Sequence, residues 1–124
     1  MRESRARQQL LIMTHLHDYF YDHARGHLFR VAAYSAIVAC RYGLSGREVD
    51  LVARAAPLHD IGKIVVPGAI LRKRGMLTGW EWDEARKHTL YGTRLLWGNS
   101  DLLCMSRSIA LSHHERWDGS GYPL

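Results

Sequence analysis

The sequence predicts an all-α protein, a helical bundle of about five helices. Apolar residues recur at helical spacing along most of the 124 residues, and no segment shows the strict alternation typical of a half-buried strand. Two Ser/Thr-x-x-Glu patterns, at Ser45–Glu48 and Thr78–Glu81, have the form of capping boxes at helix starts. Glycine and proline fall between the apolar segments, where helices would end.

The first two predicted helices cover about residues 3–21 and 27–42. The second stops at Gly43, a residue suited to a left-handed C-terminal cap. In the first, one apolar stripe is formed by Leu10, Met13, Leu16 and Phe20.

The third helix is predicted to open at the Ser45 capping box, to run through about Asp60 and to end at Gly62. Pro57 lies inside it and predicts a kink, because proline removes an amide donor and crowds the preceding turn. The kink either adjusts how His59 and Asp60 are presented or is tolerated packing.

The rest of the chain predicts two further helices, over about residues 79–97 and 100–114. A connector at 64–75 precedes them and has room for one short helical turn near 69–72. The stretch Asp118–Gly121 reads as a loop, since its residues favour turns.

The composition is that of a globular domain, with 47% hydrophobic and 23% charged residues and a net charge of +5. The chain has no run of eighteen apolar residues, so the sequence predicts no membrane span. We therefore expect a cytoplasmic protein. The positive charge is scattered and matches no known nucleic-acid reader motif, so we do not expect nucleic-acid binding. Cys40 and Cys104 lie in apolar helical patterns, from which we expect buried, reduced thiols.

Six of the eight histidines form one ordered series that predicts a metal centre. Two of them are adjacent, and one precedes an aspartate, which gives a nitrogen and an oxygen donor side by side. Each has an alternative role when taken alone: packing or surface exposure for a helical histidine, and interaction with a helix C-terminus for a pair. The series consists of His23, His27, His59 (before Asp60), His88, His113 and His114.

Several segments together resemble the HD-GYP subgroup of the HD phosphohydrolase superfamily, over about residues 23–124. The final segment, which reads HHERWDGSGYP, is long and specific. The matching residues are His27–Val31, Tyr34–Ser35, Leu58–Ile64, Pro67, Ile70–Leu71, Leu77–Thr78, Trp82, His88, Gly92 and His113–Pro123.

The resemblance implies an HD-domain-like helical fold with a centre of two or three metal ions, usually iron or manganese; the histidine and carboxylate ligands are also compatible with zinc or nickel. It implies hydrolysis of cyclic di-GMP to pGpG, GMP or both, by attack of a hydroxide that bridges the two metals. The residues that match family metal ligands are His27, His59, Asp60, His88, His113 and His114.

The resemblance also assigns roles beside the ligands. Asp60 matches the carboxylate that bridges the metals, and Lys63 matches a lysine near the substrate phosphate; taken alone, Lys63 would be a helix-end cation. Gly121, Tyr122 and Pro123 match a loop proposed to contact partner domains, including diguanylate-cyclase-type domains. We expect residues 1–22 to be an N-terminal helix, with the capacity to pair two copies, and 23–124 to be the N-terminal portion of the domain.

Three departures from the family pattern are visible. His23 replaces a glutamate that helps to hold a third metal, so we expect two ions, with His23 either a terminal ligand or a hydrogen-bonding or surface residue. The family continues beyond the loop with an aspartate ligand and basic residues, so we expect the C-terminal part of the domain to be missing here. Pro57 replaces an apolar helix former. Two other functions stay open: hydrolysis of another nucleotide or phosphate ester, and a non-catalytic partner-binding module.

Overall fold

The computed structural model describes residue 8, residues 11–15 and residues 26–124, and these residues form helices and turns without a strand. The all-α prediction is confirmed. Of the first predicted helix, residues 11–15 are helical, whereas His23 lies outside the described residues. The α-helices after residue 25 are α1 (His27–Arg41), α2 (Gly46–Ala55), α3 (Gly68–Leu71), α4 (Gly79–Arg86), α5 (His88–Leu95) and α6 (Asp101–Ser112).

Both predicted capping boxes are present and set the starts of α2 and α4. Ser45 Oγ accepts the Glu48 amide, and Glu48 Oε2 accepts the Ser45 amide at 2.8 Å. The same exchange joins Thr78 and Glu81, with Thr78 N donating to Glu81 Oε2 at 2.7 Å. Each box satisfies two amide groups that the first turn of a helix leaves without a partner.

The third predicted helix is shorter than expected. The α-helix α2 ends at Ala55, and two 3-10 helices follow, Ala56–Leu58 and Ile61–Val65, with His59 and Asp60 between them. Pro57 explains the change, because a proline has no amide proton to continue the α-helical hydrogen-bond ladder. The predicted interruption at Pro57 therefore takes the form of a change in helix type.

The single helix predicted over 79–97 is divided at Lys87 into α4 and α5. Two side chains take backbone carbonyls at this point: His88 Nδ1 lies 2.7 Å from Ala85 O, and Thr89 Oγ1 donates to Arg86 O at 3.1 Å. Side-chain donors of this kind compete with the backbone ladder. They fix His88 as the first residue of α5.

The core lies where the second 3-10 helix packs against α5 and α5 packs against α6. Leu58, Ile61, Leu96 and Ala110 are fully buried there. Helices α1 and α2 pack on each other, and α2 also contacts α6. Among the described residues, no helix is long and apolar enough to cross a membrane.

The expected burial of the two cysteines is wrong: Cys40 and Cys104 are exposed, and both are free thiols. On α6 the buried positions are Ser106 and Ala110, four residues apart. Cys104 precedes Ser106 by two positions, about 200° around the helix, and therefore faces outward. On α1, Cys40 is displaced by about 100° from the buried Ala39.

Gly62 brings the second 3-10 helix into direct contact with the backbone of α5. A Cβ atom at this position would overlap His88 O and would lie 2.5 Å from Gly92 N. Only glycine allows this approach, which places the His59–Asp60 turn beside the start of α5.

We predict that Gly62→Ala destabilises the fold by about 3 kcal/mol, because backbone atoms cannot move aside as a flexible side chain can. Thermal unfolding of the variant would show a lower Tm. The matched control is Gly46→Ala, where an added Cβ meets nothing within 4 Å. An equal Tm for the two variants would contradict the proposed close packing.

Candidate metal centre

Asp60 lies between the two 3-10 helices, and its side chain is 11% exposed. Its Oδ2 atom lies 2.7 Å from Lys63 Nζ and 3.2 Å from His59 Nε2. Its Oδ1 atom lies 3.3 Å from His88 Nε2 and 3.4 Å from His113 Nε2. The two oxygens of one carboxylate therefore face two different groups of side chains.

Three histidines around Asp60 are oriented by the same contact. In each, Nδ1 lies within hydrogen-bond distance of the carbonyl three residues earlier: 2.9 Å from Ala56 O for His59, 2.7 Å from Ala85 O for His88, and 3.0 Å from Ala110 O for His113. A carbonyl oxygen can only accept, so Nδ1 carries the proton.

A proton on Nδ1 leaves Nε2 as the lone-pair nitrogen of the neutral imidazole. In all three histidines Nε2 is the atom that faces Asp60. The Nε2 atoms of His88 and His113 also lie 3.3 Å from each other. Imidazoles held by a backbone carbonyl on one nitrogen and open on the other are typical of protein metal ligands.

His114 completes a compact group on the Oδ1 side of Asp60. Its ring lies 4.2 Å from the His113 ring and 5.1 Å from the His88 ring, measured between centroids. Ligand atoms of four residues lie within 4.8 Å of one another: Asp60, His88, His113 and His114.

His27 lies next to His59. Its ring centroid is 5.8 Å from that of His59, whose Nε2 lies beside Asp60 Oδ2. Of the residues predicted as metal ligands, the structure therefore brings four into one tight group. His59 adjoins that group, with its ring centroid 5.1 Å from that of His113, and His27 follows His59.

The ionisation states suit a cation. Burial alone would raise the pKa of Asp60, but the imidazoles of His113 and His59 and the charge of Lys63 hold it well below its usual range. Burial lowers the pKa of His88. Burial, together with the charges of His113 and His88, lowers the pKa of His114 to about 4. At neutral pH the group thus contains the ionised carboxylate of Asp60 and the neutral imidazoles of His88 and His114.

The pKa of His59 is shifted in the opposite direction, upward. Burial alone would lower its pKa, but the hydrogen bond and the negative charge of Asp60 outweigh burial and raise it. His59 therefore binds a proton more readily than His88 or His114 does. A proton or a metal ion on this Nε2 would offset the charge of the buried carboxylate.

One buried atom indicates directly that a cation fits here. Asp60 Oδ1 is buried and has no hydrogen-bond partner among the described residues, although buried carboxylate oxygens normally have one. The nearest nitrogens are His88 Nε2 at 3.3 Å and His113 Nε2 at 3.4 Å. A carboxylate oxygen beside imidazole nitrogens is a ligand set for a divalent transition metal.

The glycine-rich loop folds back over the end of α6. Tyr122 N donates to His114 O, and a Cβ on Gly121 would lie 2.5 Å from the same carbonyl. The Tyr122 ring stacks on His114, with 4.6 Å between centroids and 16° between planes. The loop of the sequence motif is therefore in contact with the histidine group.

A family model described as HD domain matches residues 24–123. The chain belongs to the HD domain family. The predicted HD-type helical fold is confirmed.

Named relatives of this HD-domain chain confirm the predicted HD-GYP resemblance. The chain is 45% identical to the 3'3'-cGAMP-specific phosphodiesterase 2 of Vibrio cholerae, over 78% of this chain and 19% of that protein. It is also 45% identical to a cyclic di-GMP phosphodiesterase of Thermotoga maritima, over 92% of this chain and 31% of that protein. It is 39% identical to the cyclic di-GMP phosphodiesterase response regulator RpfG of Xanthomonas campestris, over 98% of this chain and 32% of that protein. The chain thus spans between a fifth and a third of these relatives.

Sequence reasoning missed two features of the HD-domain site. The first is the Nδ1–carbonyl contact shared by three histidines, for which only their positions near helix ends gave a signal. The second is Arg86, which lies over the ring of Tyr122. Arg86 ends α4 and stands two residues before His88, a spacing that gives no indication of contact with a loop more than thirty residues away.

We predict that Asp60→Asn abolishes metal binding, because the amide keeps the shape of the side chain but removes its charge and one oxygen. Metal content after incubation with Mn²⁺ and dialysis, measured by plasma mass spectrometry, checks this. Asp83→Asn, an exposed aspartate of α4, is the matched control and should retain the wild-type metal content. Unchanged metal in Asp60→Asn would contradict the site.

We predict that His88→Asn distinguishes the roles of the two ring nitrogens of this histidine. The asparagine amide can still donate to Ala85 O in place of Nδ1, so the metal-free variant should fold, but it offers nothing in place of Nε2. The rise in Tm that Mn²⁺ causes in the wild type should therefore disappear. Thr89→Val, which removes the neighbouring hydroxyl bond to Arg86 O, should keep that rise. A normal rise in His88→Asn would exclude Nε2 as a ligand.

Proposed function

We propose that this chain forms the metal-binding part of a phosphodiesterase that hydrolyses cyclic di-GMP to pGpG, GMP or both. The observation that carries the proposal is the buried Asp60 carboxylate, whose Oδ2 atom faces His59 and whose Oδ1 atom faces His88 and His113. The names of the relatives from Thermotoga maritima and Xanthomonas campestris supply the substrate class.

The proposed ligand set divides at Asp60. The Oδ1 atom would share one ion with the group formed by His88, His113 and His114. The Oδ2 atom would share a second ion with His59 and His27, whose rings follow each other on that side. Iron and manganese are the proposed metals, and zinc and nickel suit the same donors.

Two divalent ions, when bound, supply Lewis acidity to a phosphoryl oxygen and lower the pKa of water, so that hydroxide is available at neutral pH. The chain's own residues orient the substrate and offset its charge. Lys63 Nζ stands beside Asp60 Oδ2 and can donate to a phosphoryl oxygen that approaches the carboxylate. His114 is neutral at pH 7, and Tyr122 packs on its ring.

A second candidate substrate is 3'3'-cGAMP. The relative from Vibrio cholerae that is named for this dinucleotide has the same 45% identity as the cyclic di-GMP phosphodiesterase of Thermotoga maritima. Both compounds present two phosphodiesters in one ring, so the same metal site serves either. Discrimination between them would depend on contacts to the bases.

Other expectations from the sequence stay predictions. They are the contact of Gly121–Pro123 with a diguanylate-cyclase-type domain, pairing of two copies through residues 3–21, and the cytoplasmic location. Of that first helix, the structure describes only residue 8 and residues 11–15.

The direct test is turnover by the full-length protein loaded with Mn²⁺ or Fe²⁺, with cyclic di-GMP and 3'3'-cGAMP as substrates and products separated by chromatography. We expect linear dinucleotide or mononucleotide from cyclic di-GMP, and no product after metal removal by a chelator. Metal-loaded protein that leaves both substrates intact would overturn the proposal and favour a non-catalytic module.

We predict that Lys63→Ala lowers kcat by about 100-fold, the usual cost of removing one donor that stabilises charge in the transition state. The metal content should stay unchanged, because lysine is not a ligand. Lys87→Ala, which removes an exposed lysine at the junction of α4 and α5, should keep wild-type kcat. If Lys63→Ala retained full kcat, the assigned role of this ammonium would be wrong.

A further inference from the structure

Arg86, at the end of α4, lies against two aromatic rings at the edge of the metal centre. Its Cζ atom is 5.7 Å from the Trp82 ring centroid and 5.2 Å from the Tyr122 ring centroid. Trp82 is on the same helix, one turn earlier, whereas Tyr122 belongs to the loop after α6. A guanidinium over aromatic rings is attracted to their electron-rich faces.

The hydrogen-bond donors of the Arg86 guanidinium have no acceptor within the part of the chain that the structure describes. Among the described residues, its guanidinium makes no hydrogen bond and no ion pair, and the residue is exposed. Contact with a ring occupies the face of the guanidinium and leaves the N–H groups at its edge available.

Arg107 shows what a structural arginine looks like in this fold. Its Nη1 atom donates to the carbonyls of Leu96 and Gly98 at 3.0 and 2.6 Å, and so fastens the segment after α5 to α6. Arg86 has no such acceptors within residues 26–124 or the described residues before them. The aromatic contacts hold its charge in place without fastening any backbone segment.

The position of Arg86 relative to the histidines follows from Tyr122. The tyrosine ring touches both, stacking on His114 and lying under the guanidinium. Arg86 is therefore close to the metal centre but reaches it through another ring, and it makes no direct contact with the histidine group among the described residues.

We propose that Arg86 binds the phosphate of the substrate that is not being cleaved. This inference rests on the proposed function, in which the substrate is a ring with two phosphodiesters and only one can lie at Asp60. The planar fork of an arginine matches two phosphate oxygens, and a pair of charge-assisted hydrogen bonds gives both affinity and orientation. Trp82 and Tyr122 hold the side chain in place, which reduces the entropy lost on binding.

Two substrates separate this role from support of the metal centre. Cyclic di-GMP has a second phosphate, whereas bis(p-nitrophenyl) phosphate has only the one that is cleaved. In the full-length, Mn²⁺-loaded protein, Arg86→Ala should raise KM for cyclic di-GMP about tenfold or more, the loss expected for a charge-assisted hydrogen-bond pair. Its kcat/KM for bis(p-nitrophenyl) phosphate and its metal content should equal those of the wild type.

Two further variants make the result specific. Arg86→Lys keeps the charge but not the fork and should recover only part of the affinity. Arg94→Ala, which removes an exposed arginine of α5, should leave the kinetic constants for both substrates unchanged. An equal loss of kcat/KM for both substrates in Arg86→Ala would show that the residue only supports Tyr122 and His114. No change on either substrate would also overturn the inference.

The dissociation constant of cyclic di-GMP, measured by calorimetry with the metal-free protein, separates failure of the inference from failure of the proposed function. If the wild type binds cyclic di-GMP without cleaving it, the proposed function fails, and weaker binding by Arg86→Ala still supports the inference. Equal binding by the two proteins overturns it, as does a wild type that does not bind cyclic di-GMP.

Discussion

The buried Asp60 carboxylate is the group on which the rest of the site depends. It is ionised, almost inaccessible to water, and one of its oxygens has no hydrogen-bond partner among the described residues. A buried charge in that condition is costly unless a cation compensates it. Lys63 compensates the Oδ2 side. On the Oδ1 side the neighbours are the Nε2 atoms of His88 and His113, and a positive ion shared with them would compensate the charge.

The fold reaches this arrangement through helix ends. Pro57 ends α2 early, and the turn that follows carries Asp60. Gly62 lets that turn approach the start of α5. The imidazoles then use carbonyls at the helix ends to fix their rings, through the Nδ1 contact that His59, His88 and His113 share. Local backbone geometry thus determines which nitrogen faces the metal position, and the ligands are oriented before any ion binds.

The sequence predicted the helix starts that a capping box marks. It missed the features that depend on which carbonyl a side chain contacts, or on contacts between distant elements. The capping boxes at Ser45 and Thr78 gave two helix starts correctly. The break at Lys87 was not predictable, because it follows from His88 and Thr89 donating to carbonyls behind them. The convergence of the histidines on Asp60 was expected from their order and from the family resemblance. The role of Gly62 as a packing contact, and the position of Arg86 over Tyr122, depend on elements far apart in the chain.

The central claim is that the two oxygens of Asp60 hold two different ions. Crystals of the Mn²⁺-loaded protein, measured at a wavelength where manganese scatters anomalously, test it most directly. The account predicts two anomalous peaks, one within bonding distance of Oδ1 beside His88, His113 and His114, and one within bonding distance of Oδ2 beside His59. A single peak, or peaks that do not touch Asp60, would contradict it.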